Sequence, residues 1–156
     1  MYRILEKQRL NAQVTRMKIY APRVAKKAAP GQFVILRSDS EGERIPLTIA
    51  DYNLLEGSVT IIFQIVGAGT EKLNRLEVGD TLADFVGPLG NATKLENLQK
   101  IAVVGGGVGS AIAYPVAKAL FERGAEVHAI VGFRNRELAI LEEEFKAHST
   151  KFVPVS

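Results

Sequence analysis

The chain has 156 residues, 47% hydrophobic and 24% charged, enough for one ordinary globular domain or two small ones. Its net charge of +3 comes from basic residues that are scattered, adjacent only at Lys26-Lys27, so the clustered stripe that nucleic acid requires is missing. The lack of cysteine excludes disulfides and thiolate-held clusters within the chain, and two histidines without ligand spacing argue against a metal site. No apolar run approaches the ~18 residues of a membrane span, and Met1-Tyr2-Arg3-Ile4-Leu5-Glu6 lacks a signal-peptide core; a cytoplasmic protein with no membrane partner is expected.

In chain order, the first part reads as short strands: Ile4–Asn11, Val14–Ala21, Gln32–Ser38, Ile45–Asp51, Ser58–Val66 and Thr81–Val86. Turn signals separate them at Ala29-Pro30-Gly31, Ser40-Glu41-Gly42, Glu56-Gly57, Val78-Gly79-Asp80 and Gly87-Pro88. Six strands at this spacing predict a small antiparallel barrel, with one short helix at Thr70–Leu76. After about Asn97 the pattern changes to strand Ile101–Val104, helix Ser110–Arg123, strand Val127–Val131, helix Arg136–Ala147 and strand Lys151–Val155. Ile112, Val116, Ala119 and Leu120 are expected on the buried face of the first of these helices, Pro115 in or beside its first turn, and Gly124 just past its end. The expected fold class is therefore β followed by α/β. Residues 1–98 form a six-stranded Greek-key barrel, and residues 99–156 a βαβαβ unit, half of a doubly wound parallel sheet.

Four segments carry candidate chemistry. The run Gly105-Gly106-Gly107-Val108-Gly109-Ser110 joins a β-branched strand to a small-residue helix, where glycines let a phosphate approach and the helix start offers free N–H groups. It departs from G-x-G-x-x-G at Ser110, and a tight turn that binds nothing also satisfies it. Alternation places Arg44, Pro46 and Thr48 on one face of Arg44-Ile45-Pro46-Leu47-Thr48, where a guanidinium can grip a pyrophosphate and a hydroxyl can bond a ring heteroatom. Gly67-Ala68-Gly69-Thr70 supplies a second backbone nest after the strongest strand. Gly87-Pro88-Leu89-Gly90-Asn91 is a tight turn that admits a planar ring, or an ordinary hairpin turn. Arg134 and Arg136 after the second parallel strand serve either a nucleotide phosphate or the surface, and Asp51-Tyr52, just past the Arg44–Thr48 stretch, could reach the edge of a bound ring. His128 is expected as a buried, hydrogen-bonded structural residue. No Ser–His–Asp or Cys–His arrangement is present, so no catalytic side chain is expected.

In this order, these motifs resemble the ferredoxin–NADP⁺ reductase superfamily of flavoproteins. The likeness is greatest to its branch of dihydroorotate dehydrogenase electron-transfer subunits and the α subunit of NADH-dependent ferredoxin:NADP⁺ oxidoreductase. Ala29-Pro30-Gly31-Gln32-Phe33-Val34 matches its P-G-Q-F-V stretch, Arg44 to Thr48 its R-x-P-x-[ST] motif, Gly69-Thr70 its G-T turn and Gly87 to Asn91 its G-P-L-G-N. The resemblance implies FAD on the barrel, with Arg44, Gly67, Gly69 and Thr70 at its pyrophosphate. Ile45, Pro46, Leu47, Thr48, the Phe63-Gln64-Ile65 backbone and Gly87-Pro88-Leu89 would line ribityl and ring. NAD(P)H would dock over Gly105, Gly106, Gly107, Val108, Gly109 and Ser110.

Relatives of this kind carry a full doubly wound domain and a cysteine-rich segment for a [2Fe-2S] cluster. This chain stops at Ser156 without cysteine, so it reads as a C-terminally truncated form. The expected function is that of a flavin-dependent electron-transfer subunit, passing electrons between a nicotinamide nucleotide, FAD and, in the intact protein, the cluster on behalf of a partner subunit. The alternatives are a cofactor-free binding or assembly module for that partner and a minimal flavin reductase. Half a sheet should also leave Ile101–Val104 as an open apolar edge that favours self-association.

Overall fold

The computed structural model describes residues 1–156. The first part is a seven-stranded antiparallel sheet: β1 (Tyr2–Arg9), β2 (Val14–Tyr20), β3 (Phe33–Arg37), β4 (Ile45–Asn53), β5 (Ser58–Gln64), β6 (Thr81–Leu82) and β7 (Asp84–Leu89). In the order β6-β1-β2-β5-β4-β3-β7 it curls into a nearly closed barrel. The single strand expected over Thr81–Val86 is two, because β6 pairs with β1 while β7 crosses to β3. Inward residues Ile4, Met17, Ile19, Val34, Leu36, Ile49, Val59, Ile61, Phe63 and Phe85 make the barrel core.

Two short helices flank this sheet. One, α1 (Pro22–Lys27), escapes the sequence pattern; it starts on Pro22, whose fixed φ suits a first helical turn, and buries only Val24 and Ala25. The other, α2 (Ala68–Asn74), begins two residues before the expected Thr70 and anchors through Leu73.

The second part is a three-stranded parallel sheet, β10-β9-β8, made of β8 (Lys100–Gly106), β9 (Glu126–Gly132) and β10 (Lys151–Val155). Between β8 and β9 runs α3 (Ser110–Glu122), preceded by a 3₁₀ turn at Gly107–Gly109. Gly124, with φ of 87°, follows its C-cap, and Ala125 N–H donates to the Leu120 carbonyl at 3.0 Å, closing the helix as expected.

Three local expectations need correction. Ile112 is 54% exposed; Leu120 is buried and Val116 and Ala119 pack against the core as expected, but the centre of the buried face is Ala111, Tyr114, Pro115 and Ala117. Pro115 is the sixth helical residue and lies inside the helix rather than in its first turn; the packing of its buried ring accompanies the missing N–H. The helix expected over Arg136–Ala147 is a 3₁₀ turn at Arg136–Leu138 and a separate α4 (Glu142–Ala147). Ile140 and Leu141 between them are drawn into the core, and Leu141 takes φ of 60°, which ends helical propagation.

The α/β core contains Tyr114, Leu120, Val127, Ala129, Val131 and Phe145, and it extends onto the outer face of the barrel through Val14, Ala50 and Ile62. That is why β5 is buried continuously from Ser58 to Phe63: both of its faces are covered. Two polar contacts also cross between the parts. Lys118 Nζ on α3 lies 2.8 Å from Asp51 Oδ1 on β4, and Asn11 donates to the Leu138 carbonyl at 3.2 Å. Asp51 is thus engaged with α3. His128 is half-exposed rather than buried, with Nε2 3.7 Å from Glu126 Oε2. No helix is long and apolar enough to cross a membrane.

Candidate functional site

The register of β4, β3 and β7 builds an outward face in three rows. Phe33 lies opposite Thr48 on one side and Leu89 on the other; Ile35 lies opposite Pro46 and Val86; Arg37 lies opposite Asp84. Since Leu36 pairs with Ile45, the next residues outward, Arg37 and Arg44, are neighbours. The face therefore runs from apolar rows, with Val86 49% exposed, to a charged row of Arg44, Arg37 and Asp84. A flat apolar platform ending in cations suits an aromatic ring joined to a phosphate.

Beside the charged row opens a pocket of about 200 Å³, lined by Glu43, Arg44, Pro46, Gly67, Gly69 and Thr70. Arg44, Pro46, Gly69 and Thr70 therefore meet at one place, as their sequence pattern predicts. The role of the Thr70 hydroxyl is more local than expected. It accepts hydrogen bonds from Val66 N–H at 2.9 Å and Gly67 N–H at 3.1 Å and faces the Gly67 carbonyl, so it closes the turn. A Cβ at Gly67 would meet nothing within 4 Å, whereas one at Gly69 would run into the side chain of Glu43. Glu43 was not expected here; it is near because the loop before β4 folds back over this turn.

Side chains on the inward side of the same strands do not reach this face. Phe63 is buried in the barrel core, and Ile45, Leu47 and Ile65 pack against that core, leaving the backbone as their contribution. Gly87 is required by close packing, since a Cβ there would lie 2.8 Å from Val34 Cγ1 and 3.3 Å from the Phe33 carbonyl oxygen. The next residues, Pro88 and Leu89, continue β7 along the face. Gln32, quoted only as part of a motif, ties the turn together: it accepts from Ala29 N–H and donates to the Gly90 carbonyl, both at 3.0 Å.

The glycine cluster divides by role. A Cβ at Gly105 would lie 2.9 Å from Ser110 Cα and 3.2 Å from Ser110 Oγ, so this glycine lets α3 pack onto β8. Gly106, Gly107 and Gly109 would meet nothing within 4 Å, which is the open backbone a phosphate needs. The fully buried Ser110 hydroxyl, at the first turn of α3, has no hydrogen-bond partner. Gly106, Gly107 and Val108 line a cleft of about 690 Å³ whose opposite wall is Asn11, Gln13, Val14 and Gln64 of the barrel. Gln64, expected to contribute backbone, turns its carboxamide to Gln13 at 3.3 Å in this cleft. Arg134 also lines it, and Arg136 lines a smaller neighbouring pocket of about 290 Å³.

No cluster of three or more His, Cys, Asp or Glu side chains could hold a metal ion, and there is no cysteine. The residues present therefore do not fit an iron–sulfur cluster. They do fit two phosphate-bearing ligands, one on the barrel and one over the open glycines.

No family model matches the sequence. The chain is 50% identical over 151 residues to an uncharacterised protein in the adh 3′ region of Clostridium beijerinckii, covering 92% of this chain and 51% of that protein. It is 43% identical over 143 residues to the dihydroorotate dehydrogenase B (NAD(+)) electron transfer subunit homolog of Thermotoga maritima, covering 92% of this chain and 51% of the homolog. Among solved structures, that of the NADH-dependent reduced ferredoxin-NADP oxidoreductase superposes with a TM-score of 0.94 at 39% identity, covering 99% of this chain and 56% of that one. The chain spans about half the length of the curated relatives it matches. In sequence and in its ferredoxin reductase-like fold, it is a relative of the dihydroorotate dehydrogenase B electron transfer subunits over the half of their length that it spans.

Proposed function

We propose that the chain is the flavin- and nicotinamide-binding part of an electron-transfer subunit in a multi-subunit oxidoreductase. Residues 1–98 serve as the FAD unit and residues 99–156 as part of the NAD(P)H unit. One observation carries this reading: the apolar rows of β4, β3 and β7 end in Arg44 beside the Gly67–Thr70 turn, and the barrel faces the open glycines across one cleft.

In this reading Arg44 and the turn backbone hold the pyrophosphate of FAD, while Pro46, Thr48 and Val86 support its ring system. Gly106, Gly107 and Gly109 admit the phosphates of the nicotinamide nucleotide. Held there by Arg44 and the turn backbone, FAD would supply the redox chemistry. The protein's share is to orient the two groups across the cleft and to keep water from the apolar rows. No side chain need act as acid or base, consistent with a cleft whose lining side chains include one charged group, Arg134, among amides, glycines and apolar residues. The [2Fe-2S] centre implied by the resemblance finds no ligands in this chain, and no step is routed through it.

The exposed β8 edge favours a second reading, a module that pairs with a partner without cofactors. An absorption spectrum taken after FAD addition and gel filtration separates the two. Retained flavin bands, lost in Arg44→Ala, support the flavin reading. A chain that keeps no flavin at saturating FAD refutes it and leaves the module.

A further inference from the structure

The charged row of the barrel face poses an electrostatic problem that its neighbours resolve. Arg37 ends β3 and Arg44 immediately precedes β4, one step beyond the Leu36–Ile45 pair, so two cations face each other at the end of the ladder, an arrangement that is unfavourable when left alone. Asp84, directly opposite Arg37 on β7, takes up both charges. Its Oδ2 lies 2.5 Å from Arg37 Nε and 3.6 Å from Arg44 Nη1. Arg37 is held from its other end as well, donating from Nη1 to the Ser40 carbonyl at 3.0 Å. Asp84 is therefore anchored by Arg37, and the same Oδ2 that Arg37 holds is the one that reaches Arg44.

Asp84 is the only carboxylate within 4 Å of Arg44. Glu43, although adjacent in sequence, lies over Gly69 instead. Arg44 itself is mostly solvent-exposed, with a side chain 62% accessible, and without a tether it would sample many rotamers.

We infer that Asp84 is a positioning residue: braced by Arg37, it holds the Arg44 guanidinium at the mouth of the Gly67–Thr70 pocket, ready for a ligand pyrophosphate. The inference rests on the flavin reading above and adds to it a residue that no cofactor motif includes. Asp84 touches no ligand; it acts through Arg44, by sparing that side chain the entropy of being ordered when the ligand arrives.

The test is a double-mutant cycle read by FAD titration, following flavin fluorescence, with wild type, Asp84→Asn, Arg44→Ala and the double variant. Asparagine keeps the shape of Asp84 and one acceptor for Arg37. Asp84→Asn is expected to weaken FAD binding roughly five- to tenfold, the scale of ordering one long exposed side chain on binding. In the Arg44→Ala background the same change is expected to have less than about a twofold effect, because its target is gone. Asp84→Ser, checked for a native far-ultraviolet circular dichroism spectrum and melting midpoint, serves if Asp84→Asn does not fold. Equal weakening in both backgrounds would mean that Asp84 only supports the barrel, and overturns the inference. So does tighter binding by Asp84→Asn, which would mean that Asp84 withholds Arg44 from the ligand, or no change at all. Wild-type protein that takes up no FAD refutes the flavin reading itself, and the inference with it; an outcome confined to Asp84→Asn leaves that reading intact.

Discussion

Alanine at Gly105 and alanine at Gly106 add the same methyl group to neighbouring residues, with opposite expected consequences. At Gly105 the new Cβ would lie 2.9 Å from Ser110 Cα and 3.3 Å from Ala113 Cβ. A main-chain atom cannot rotate aside, so α3 must lift off β8 by several tenths of an ångström. Overpacking of this kind costs about 1–3 kcal/mol, offset by about 0.5–1 kcal/mol gained when a strand glycine becomes alanine. The net loss, about 1 kcal/mol at mid-range, should lower the melting midpoint by about 2–4 °C in a chain of this size. At Gly106, φ is −129° and nothing lies within 4 Å, so alanine should leave stability unchanged or raise it by about 0.4–1 kcal/mol. Its methyl group enters the space offered to a phosphate, and binding of NADH and NADPH in titration calorimetry should weaken. Thermal unfolding followed by circular dichroism checks the stability half. A Gly105→Ala midpoint within about 1 °C of wild type, or an equal loss in Gly106→Ala, would refute the division of the cluster into packing and binding glycines.

Asp51→Ala should destabilise the chain by about 1 kcal/mol, since it leaves the Lys118 ammonium without its 2.8 Å partner in a contact only partly screened by solvent. The coupling with Lys118→Ala in urea unfolding measures it, and strictly additive losses would count against a bridge between barrel and α3. Tyr114 is buried, and burial together with the nearby Asp51 carboxylate pushes its phenol above the usual range. The unfolded chain releases that proton near pH 10 while the folded chain keeps it, so this contribution is complete below about pH 10 and falls as pH rises beyond it. Tyr114→Phe should flatten the alkaline limb of urea midpoints measured between about pH 8 and 11, and parallel limbs would contradict it. Val104, 70% exposed on the edge strand β8, should promote self-association at rising concentration. Val104→Lys should suppress it in sedimentation velocity, and a monodisperse wild-type monomer over a wide concentration range would refute the edge argument.

Much of this protein was legible from local sequence. Alternation, turn residues and the change of period after Asn97 specify a barrel followed by a parallel unit, because a pleated strand and a helix each impose their own spacing on apolar residues. The glycines of 105–109 and the Arg44–Thr48 stretch stood out because backbone approach and a guanidinium fork demand particular residue types. Tertiary packing decided the rest. The crossing of β7 to β3 split one expected strand in two and set Asp84 beside Arg37 and Arg44, 40 or more positions away in the chain. Burial of Ile140 and Leu141 broke a helix that local propensity continues, and the contact of α3 with β4 turned Lys118 onto Asp51. Local sequence thus determined which elements form and which residues can meet a phosphate. Strand order, register and the shared core determined which of them stand together, since those depend on contacts between segments that no short window of sequence contains.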